Sequence, residues 1–298
     1  MRILFIGGTQ FIGRHMAAEA LARGHEVTLF HLGSGPEDPF PEAEHVHGDR
    51  RTGLGVVADR NWDVVIDVCA YIPREVRIAA EGLAGRTERF CYVSTTDVYR
   101  RTGADTITED SPIWNATDLA DPDPTEYDWD LYGELKALGE HEALAGFERV
   151  TMVRPTYVLG PYDNTDRFPE WIRRIQAGGV VAAPAPVHAV QQLVDARDLA
   201  AFTIGLVERG VDGAFNGVAP PTTFGAMLEA VAEGVGADVE FEWLEPDEVA
   251  ARGLEMPLYN PPEEWEICRC DPSRSAAEGL SHRPLVETVR DTLAWMQD

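Results

Sequence analysis

Two rhythms of apolar positions alternate from the first residues onward. Arg2-Ile-Leu-Phe-Ile6 is a short continuous apolar run, the pattern of a strand covered on both faces. Gly7-Gly8-Thr9-Gln10-Phe11-Ile12-Gly13 breaks it, and Ile12, Met16, Ala20 and Leu21 then recur near helical spacing up to about Arg23. Gly24 stands where a left-handed C-cap is expected, and Val27 to Phe30 reads as a second strand. Strand, glycine turn, helix and strand make half of a nucleotide-binding fold.

The alternation continues beyond a Gly/Pro/acidic loop from Gly33 to Pro41. His45-Val-His47 reads as a third strand, Asp63 to Ala70 as a central one, Pro73 to Leu83 as a helix and Arg89 to Val93 as a fifth strand. Residues from Arg100 to Asp130 form a polar, proline-rich excursion expected to border a cleft. Asp130 is expected to cap a helix running to about Ala145, and Arg149 to Arg154 forms a sixth strand. Later, Ala196 to Arg209 reads as a helix and Ala214 to Val218 as a strand returning to the core. The class is therefore α/β, a Rossmann doubly wound parallel sheet with a smaller C-terminal substrate-binding lobe. Residues 1–160 are expected to form the dinucleotide-binding domain, with core segments returning at about 190–218, and 161–298 the interleaved lobe.

The turn has specific chemistry. A helix whose first N–H groups point outward is an anion site suited to a pyrophosphate, so Gly7, Thr9, Gln10, Phe11, Ile12 and Gly13 are expected to hold a nicotinamide dinucleotide. Gln10 occupies the middle glycine position, where it either shifts the cofactor or hydrogen-bonds it. His31 stands at the end of the second strand, where a carboxylate would grip the ribose diol of NAD. Loss of that acid removes repulsion toward a 2′-phosphate and tips the choice between NAD and NADP slightly to NADP, with Arg14 nearby. Asp49 is expected at the adenine amino group. Cys69 and Ala70, at the end of the central strand, are expected beside the cofactor.

Composition narrows the partners. The 298 residues carry 51 acidic and 25 basic side chains, a formal charge of −26, which disfavours nucleic acid and anionic membrane. No apolar run approaches about eighteen residues, and Met1-Arg2 leads straight into a strand rather than a signal segment, so a cytoplasmic location is expected. Cysteines at 69, 91, 268 and 270 form no C-x-x-C pair and meet no histidine cluster, so neither a disulfide framework nor a metal site is expected.

Lys136 is the only lysine, and it falls four residues after Tyr132, one helical turn along the same face. A compact ammonium and a cationic nicotinamide ring beside a phenol both favour phenolate, and such a tyrosine can exchange a hydroxyl proton during redox chemistry at the attached carbon. Thr95, with Ser94 as the alternative, ends the fifth strand and can hold the substrate oxygen. Arg100, Arg167, Arg173 and Arg174 either bind a substrate diphosphate or pair with surface acids, and Phe168 and Trp171 either line the cleft or pack the lobe.

Together the glycine turn, Ser94-Thr-Thr-Asp-Val-Tyr99, Tyr132 to Lys136 and Arg154-Pro through Gly160-Pro161 resemble the extended short-chain dehydrogenase/reductases, most nearly the NAD-dependent epimerase/dehydratase family. The resemblance extends to Val194–Leu199 and to Asp271-Pro-Ser-Arg. It implies Thr95 as the catalytic hydroxyl, Tyr132 as acid–base, Lys136 as its activator and cofactor contact, and Pro155 to Val158 along the nicotinamide. Dehydratases of the family carry Asp-Glu after the threonine where this chain has Thr96-Asp97, which ranks dehydration below oxidoreduction or epimerisation. The expected substrate is a small molecule with a hydroxyl/keto carbon, foremost a nucleotide sugar. The rival expectations are a ketoreductase of a non-nucleotide metabolite and a non-catalytic cofactor-binding regulatory or RNA-associated protein. The resemblance also implies a homodimer through the Tyr132 helix.

Overall fold

The computed structural model describes residues 1–33 and 39–297; the expected loop from Gly33 to Pro41 falls largely on 34–38, outside them. Its centre is a parallel sheet built from the apolar runs: β1 (Arg2–Ile6), β2 (Glu26–His31), β3 (Glu44–His47), β4 (Trp62–Asp67), β5 (Thr87–Val93) and β6 (Val150–Pro155). Further strands are β7 (Tyr157–Leu159), β8 (Gly179–Pro184), β9 (Val190–Gln191), β10 (Leu193–Asp195), β11 (Gly213–Gly217), β12 (Thr222–Thr223) and β13 (Val239–Leu244). The seven-stranded order is β11-β6-β5-β4-β1-β2-β3. Strand order reverses between β1 and β4, and the crevice beyond their C-terminal ends is where such sheets bind ligands.

Helices cover both faces of this sheet. Helices α1 (Phe11–Ala22) and α6 (Ala196–Arg209) pack together on one face over Ile3, Phe5, Leu29 and Val153. Between them in the chain lie α2 (Gly55–Ala58), α3 (Pro73–Leu83), α4 (Tyr132–Gly146) and α5 (Arg167–Gln176). Helices α3 and α4 pack on the opposite face, among Leu4, Val65, Phe90 and Met152. A separate apolar cluster joins α5, α7 (Phe224–Val235), β8, β13 and the helix Leu285–Gln297, and it buries both Phe168 and Trp171. Those two aromatics pack the later part of the chain and do not line the cleft.

Several element ends lie a residue or two from the sequence reading, and at two of them a side chain sets the boundary. Strand β4 stops at Asp67 instead of Ala70, because the Asp67 carboxylate accepts the Cys69 N–H at 3.2 Å and curls the chain. Helix α4 is not capped by Asp130. Asp128 accepts the Asp130 N–H at 2.9 Å and caps a 3-10 turn, Trp129–Leu131, that runs directly into Tyr132. No helix among the described residues is long and apolar enough to cross a membrane.

Candidate active site

A cavity of about 920 Å³ opens at the strand-order reversal. Its floor is the glycine turn. Gly7 and Gly8 take φ of +97° and +92°, conformations that side chains rarely adopt, and a Cβ on Gly8 would stand 2.9 Å from Leu29 Cδ2. A Cβ on Gly13 would meet Gly8 Cα and Val68 Cγ2, each at 2.9 Å, so the turn and α1 can approach only without side chains. Gln10 precedes α1 without capping it through its side chain, which leaves the first N–H groups for an anion. Instead, Gln10 Oε1 accepts a hydrogen bond from Asn164 Nδ2 at 2.9 Å, tying the turn to the chain before α5. These residues fit the pyrophosphate of a dinucleotide.

Gly7, Thr9, Gln10, Phe11, Ile12 and Gly13 all line the cavity, as do His31, Asp49, Cys69 and Pro155. His31 bonds His45 across 2.9 Å between ring nitrogens and accepts the Gly33 N–H at 3.1 Å. Arg14 lies over the rings of Tyr162, at 4.2 Å, and Phe40, and it is not part of the cavity wall. Asp49 takes the Arg51 backbone N–H at 2.9 Å and its guanidinium, so its carboxylate also shapes its own turn. Burial pushes the Cys69 thiol up to about 11, which keeps it protonated. Ala70 departs from the expectation: it is fully buried outside the cavity wall, and its carbonyl accepts from Lys136 Nζ at 2.9 Å. Its contribution to the site is to anchor the lysine.

Thr95, Tyr132 and Lys136 come together on the same wall. Helix α4 begins at Tyr132 and approaches the chain after β5 so closely that a Cβ on Gly133 would lie 2.2 Å from the Asp97 carbonyl oxygen. Thr95 Oγ1 accepts the Asp97 N–H at 3.2 Å and lies 3.4 Å from Asp97 Oδ2. Ser94 Oγ, also on the wall, is buried without a hydrogen-bond partner. Lys136 Nζ donates to the carbonyls of Val93, at 2.6 Å, and Ala70. Burial lowers Lys136 to about 8 despite the pull of Asp67 and Glu140.

Tyr132 is subject to influences that the sequence reading did not include. Burial raises it well above its ordinary value, Asp97 raises it further, and the Thr95 hydroxyl and Arg167 offset this only in part. Burial and Asp97 both favour the protonated phenol. Asp97, itself pushed upward by burial, was not foreseen as a site residue. Neither was Trp129, an exposed indole on the cavity wall with its ring centroid 6.1 Å from that of Tyr132. The only sequence signal for either was proximity to Thr95 or Tyr132.

The arginines sort clearly. Arg100 pairs with Asp118, Arg173 with Asp166 and Glu170, and Arg174 with Glu170, all as surface ion pairs. Arg167 alone of the four lines the cavity. Among the described residues no group of three or more metal-ligating side chains is found.

Residues 43–216 match the model of the NAD dependent epimerase/dehydratase family. The chain is 29% identical over 218 residues to the chloroplast stem-loop binding protein of 41 kDa b of Arabidopsis thaliana, covering 67% of this chain and 53% of that protein. It is 26% identical over 205 residues to a 3-beta-hydroxysteroid dehydrogenase of Mycolicibacterium neoaurum, covering 60% and 53%. The chain thus spans about half the length of these two relatives. In fold it is similar to UDP-glucuronic acid 4-epimerase from Bacillus cereus in complex with NAD, with a TM-score of 0.74 at 16% identity, covering 100% of this chain and 96% of the other. With more than half of its length matched by the family model, the chain belongs to the NAD dependent epimerase/dehydratase family.

Proposed function

We propose that this chain is a NAD(P)-dependent oxidoreductase or epimerase acting on a hydroxyl/keto carbon of a small molecule, foremost a nucleotide sugar. The observation that carries the reading is the convergence of Thr95, Tyr132 and Lys136 on the wall of a cavity floored by the glycine turn. The two parts lie far apart in sequence, and chance has no reason to bring them to one cleft.

Gly7 to Gly13 and the first turn of α1 would hold the pyrophosphate, Cys69 and Pro155 would flank the nicotinamide half, and His31 and Asp49 the adenosine half. The chemistry such a dinucleotide supplies when bound is two-electron transfer to or from a carbon. Thr95 holds the substrate oxygen through its hydroxyl. Tyr132 delivers its proton to that oxygen during reduction and takes it back during oxidation. Lys136 fixes the end of β5 and the start of the chain after β4 through its two carbonyl bonds, and its charge eases proton loss from the phenol. Residues 161–298, apart from the core segments near 190–218, would supply the substrate lobe, and α4 a dimer contact. The fold-level neighbour with NAD supports the cofactor class, and its UDP-sugar substrate supports the substrate class by analogy alone.

Titration of NADH and NADPH fluorescence, followed by UDP-, GDP- and dTDP-sugars and simple ketones, tests the reading. Tyr132→Phe should lower turnover by about 10²-fold or more while cofactor affinity stays unchanged. Equal turnover in the variant would remove Tyr132 from the chemistry.

A second reading is favoured by one observation: the Arabidopsis relative is named a stem-loop binding protein. On that reading the chain binds cofactor and RNA without turnover. The charge of −26 opposes it, since phosphate contacts need clustered cations. Retention of a labelled stem-loop RNA at low salt, with no turnover on the panel, would favour it.

A further inference from the structure

Four guanidinium groups line the cavity, and three of them face a carboxylate partner. Arg50 makes a bidentate pair with buried Asp67, at 2.6 and 2.7 Å. Arg51 pairs with Asp49 at 2.9 Å, and Arg101 faces Asp97 at 3.9 Å. Arg167 has no ion pair among the described residues, in a chain whose acids outnumber its bases two to one. A guanidinium without an ion pair on the cavity wall is placed where an anionic ligand would meet it.

The group is also held in place. Buried Asp163 accepts the Thr165 hydroxyl at 2.6 Å and the Thr165 N–H at 2.9 Å. The hydroxyl oxygen so oriented accepts Arg167 Nε at 3.1 Å. The guanidinium carbon lies 5.4 Å from the centroid of the Tyr157 ring, whose own hydroxyl is pinned to buried Asn260 at 2.6 Å. One edge of the fork and one face of its plane are therefore fixed, and the two terminal nitrogens remain for a ligand. Arg167 is near enough to the reacting wall to draw the Tyr132 phenol and the Asp97 carboxyl downward. Glu264, a cavity carboxylate with no ion pair among the described residues, bounds where negative charge can sit.

We propose that Arg167, positioned by Thr165 and Asp163, is the anion subsite of the substrate cleft, and that the substrate bears a phosphoryl or carboxylate group that pairs with it. This rests on the oxidoreductase reading only in assigning the anion to the molecule whose oxygen meets Tyr132. Neither Arg100, Arg173 nor Arg174 shares the role, since each already holds an acid outside the cavity.

The test is calorimetric titration of the NAD-loaded protein with pyrophosphate, UDP and succinate, comparing the natural chain with Arg167→Ala and Arg173→Ala. At least one anion should bind at a single site, Arg167→Ala should weaken it by about tenfold or more, and Arg173→Ala should leave it unchanged. Preference for pyrophosphate or UDP assigns a phosphoryl group, with UDP over pyrophosphate marking a nucleotide; preference for succinate assigns a carboxylate. The side chain is exposed and makes one side-chain hydrogen bond, so the variant should fold, and unchanged circular dichroism checks that. Failure of every anion to bind, or equal affinity in Arg167→Ala, overturns the proposal while leaving the oxidoreductase reading intact. Failure of NAD to bind strikes that reading instead, and the same variants titrated without NAD still decide the role of Arg167.

Discussion

Lys136 shows how much one side chain's chemistry depends on where the chain buries it. As the only lysine, placed one turn beyond Tyr132, it was conspicuous in the sequence. Its effect on the phenol was not, because the opposing influences, burial and Asp97, come from tertiary packing. With its value lowered to about 8, the amine is charged below that pH and loses its proton above it. If the charge assists Tyr132, kcat/KM in the reducing direction should be level at pH 6–7 and fall through a midpoint near 8. A profile that stays flat to about pH 9.5 would detach the amine from catalysis. Unfolding cannot mimic the fall through this group. A base with a lower value folded than unfolded adds stability as pH rises from about 8 toward the ordinary lysine value.

Helix α4 is seated by two contacts at the scale of whole elements. Gly133 lets its first turn touch the Asp97 backbone, and Glu140 meets Arg154 of β6 in a buried bidentate pair, at 2.5 and 2.8 Å. Arg154 also donates to the Tyr99 hydroxyl at 2.8 Å, so one guanidinium ties the helix, β6 and the chain after β5 together. Gly133→Ala should cost about 1–3 kcal/mol in urea unfolding and lower kcat more than it raises KM, because it pushes Tyr132 away from Thr95. Arg154→Met leaves Glu140 buried without its partner and should cost about 3–5 kcal/mol. Strands and helices were legible where apolar periodicity is strong: α3 and α6 match their expected spans from Pro73 to Leu83 and from Ala196 to Arg209. The end of β4 and the start of α4 were not, since a side chain taking a backbone N–H decides each, and several aspartates nearby compete for that part.

The whole molecule is dominated by its charge. With 51 acids against 25 bases, self-repulsion opposes the compact state, and dissolved salt should relieve it. The thermal midpoint should therefore rise by a few degrees between about 0.02 and 0.5 M NaCl; a midpoint that is constant or falls would mean that local ion pairs such as Arg77 with Asp123 and Glu142 outweigh the long-range repulsion. The α/β plan was legible because strand and helix patterns alternate. The fate of individual arginines was not, since partners such as Asp118 of Arg100 are set only by the folded surface. The solitary lysine has a practical corollary as well. The one lysine side chain in this sequence is sealed 97% away from solvent, as the 3% exposure of Lys136 implies. An acylating reagent should spare that amine while the chain is intact and reach it only when the chain opens, so the mass of the peptide holding Lys136 would report the fraction of molecules that have unfolded.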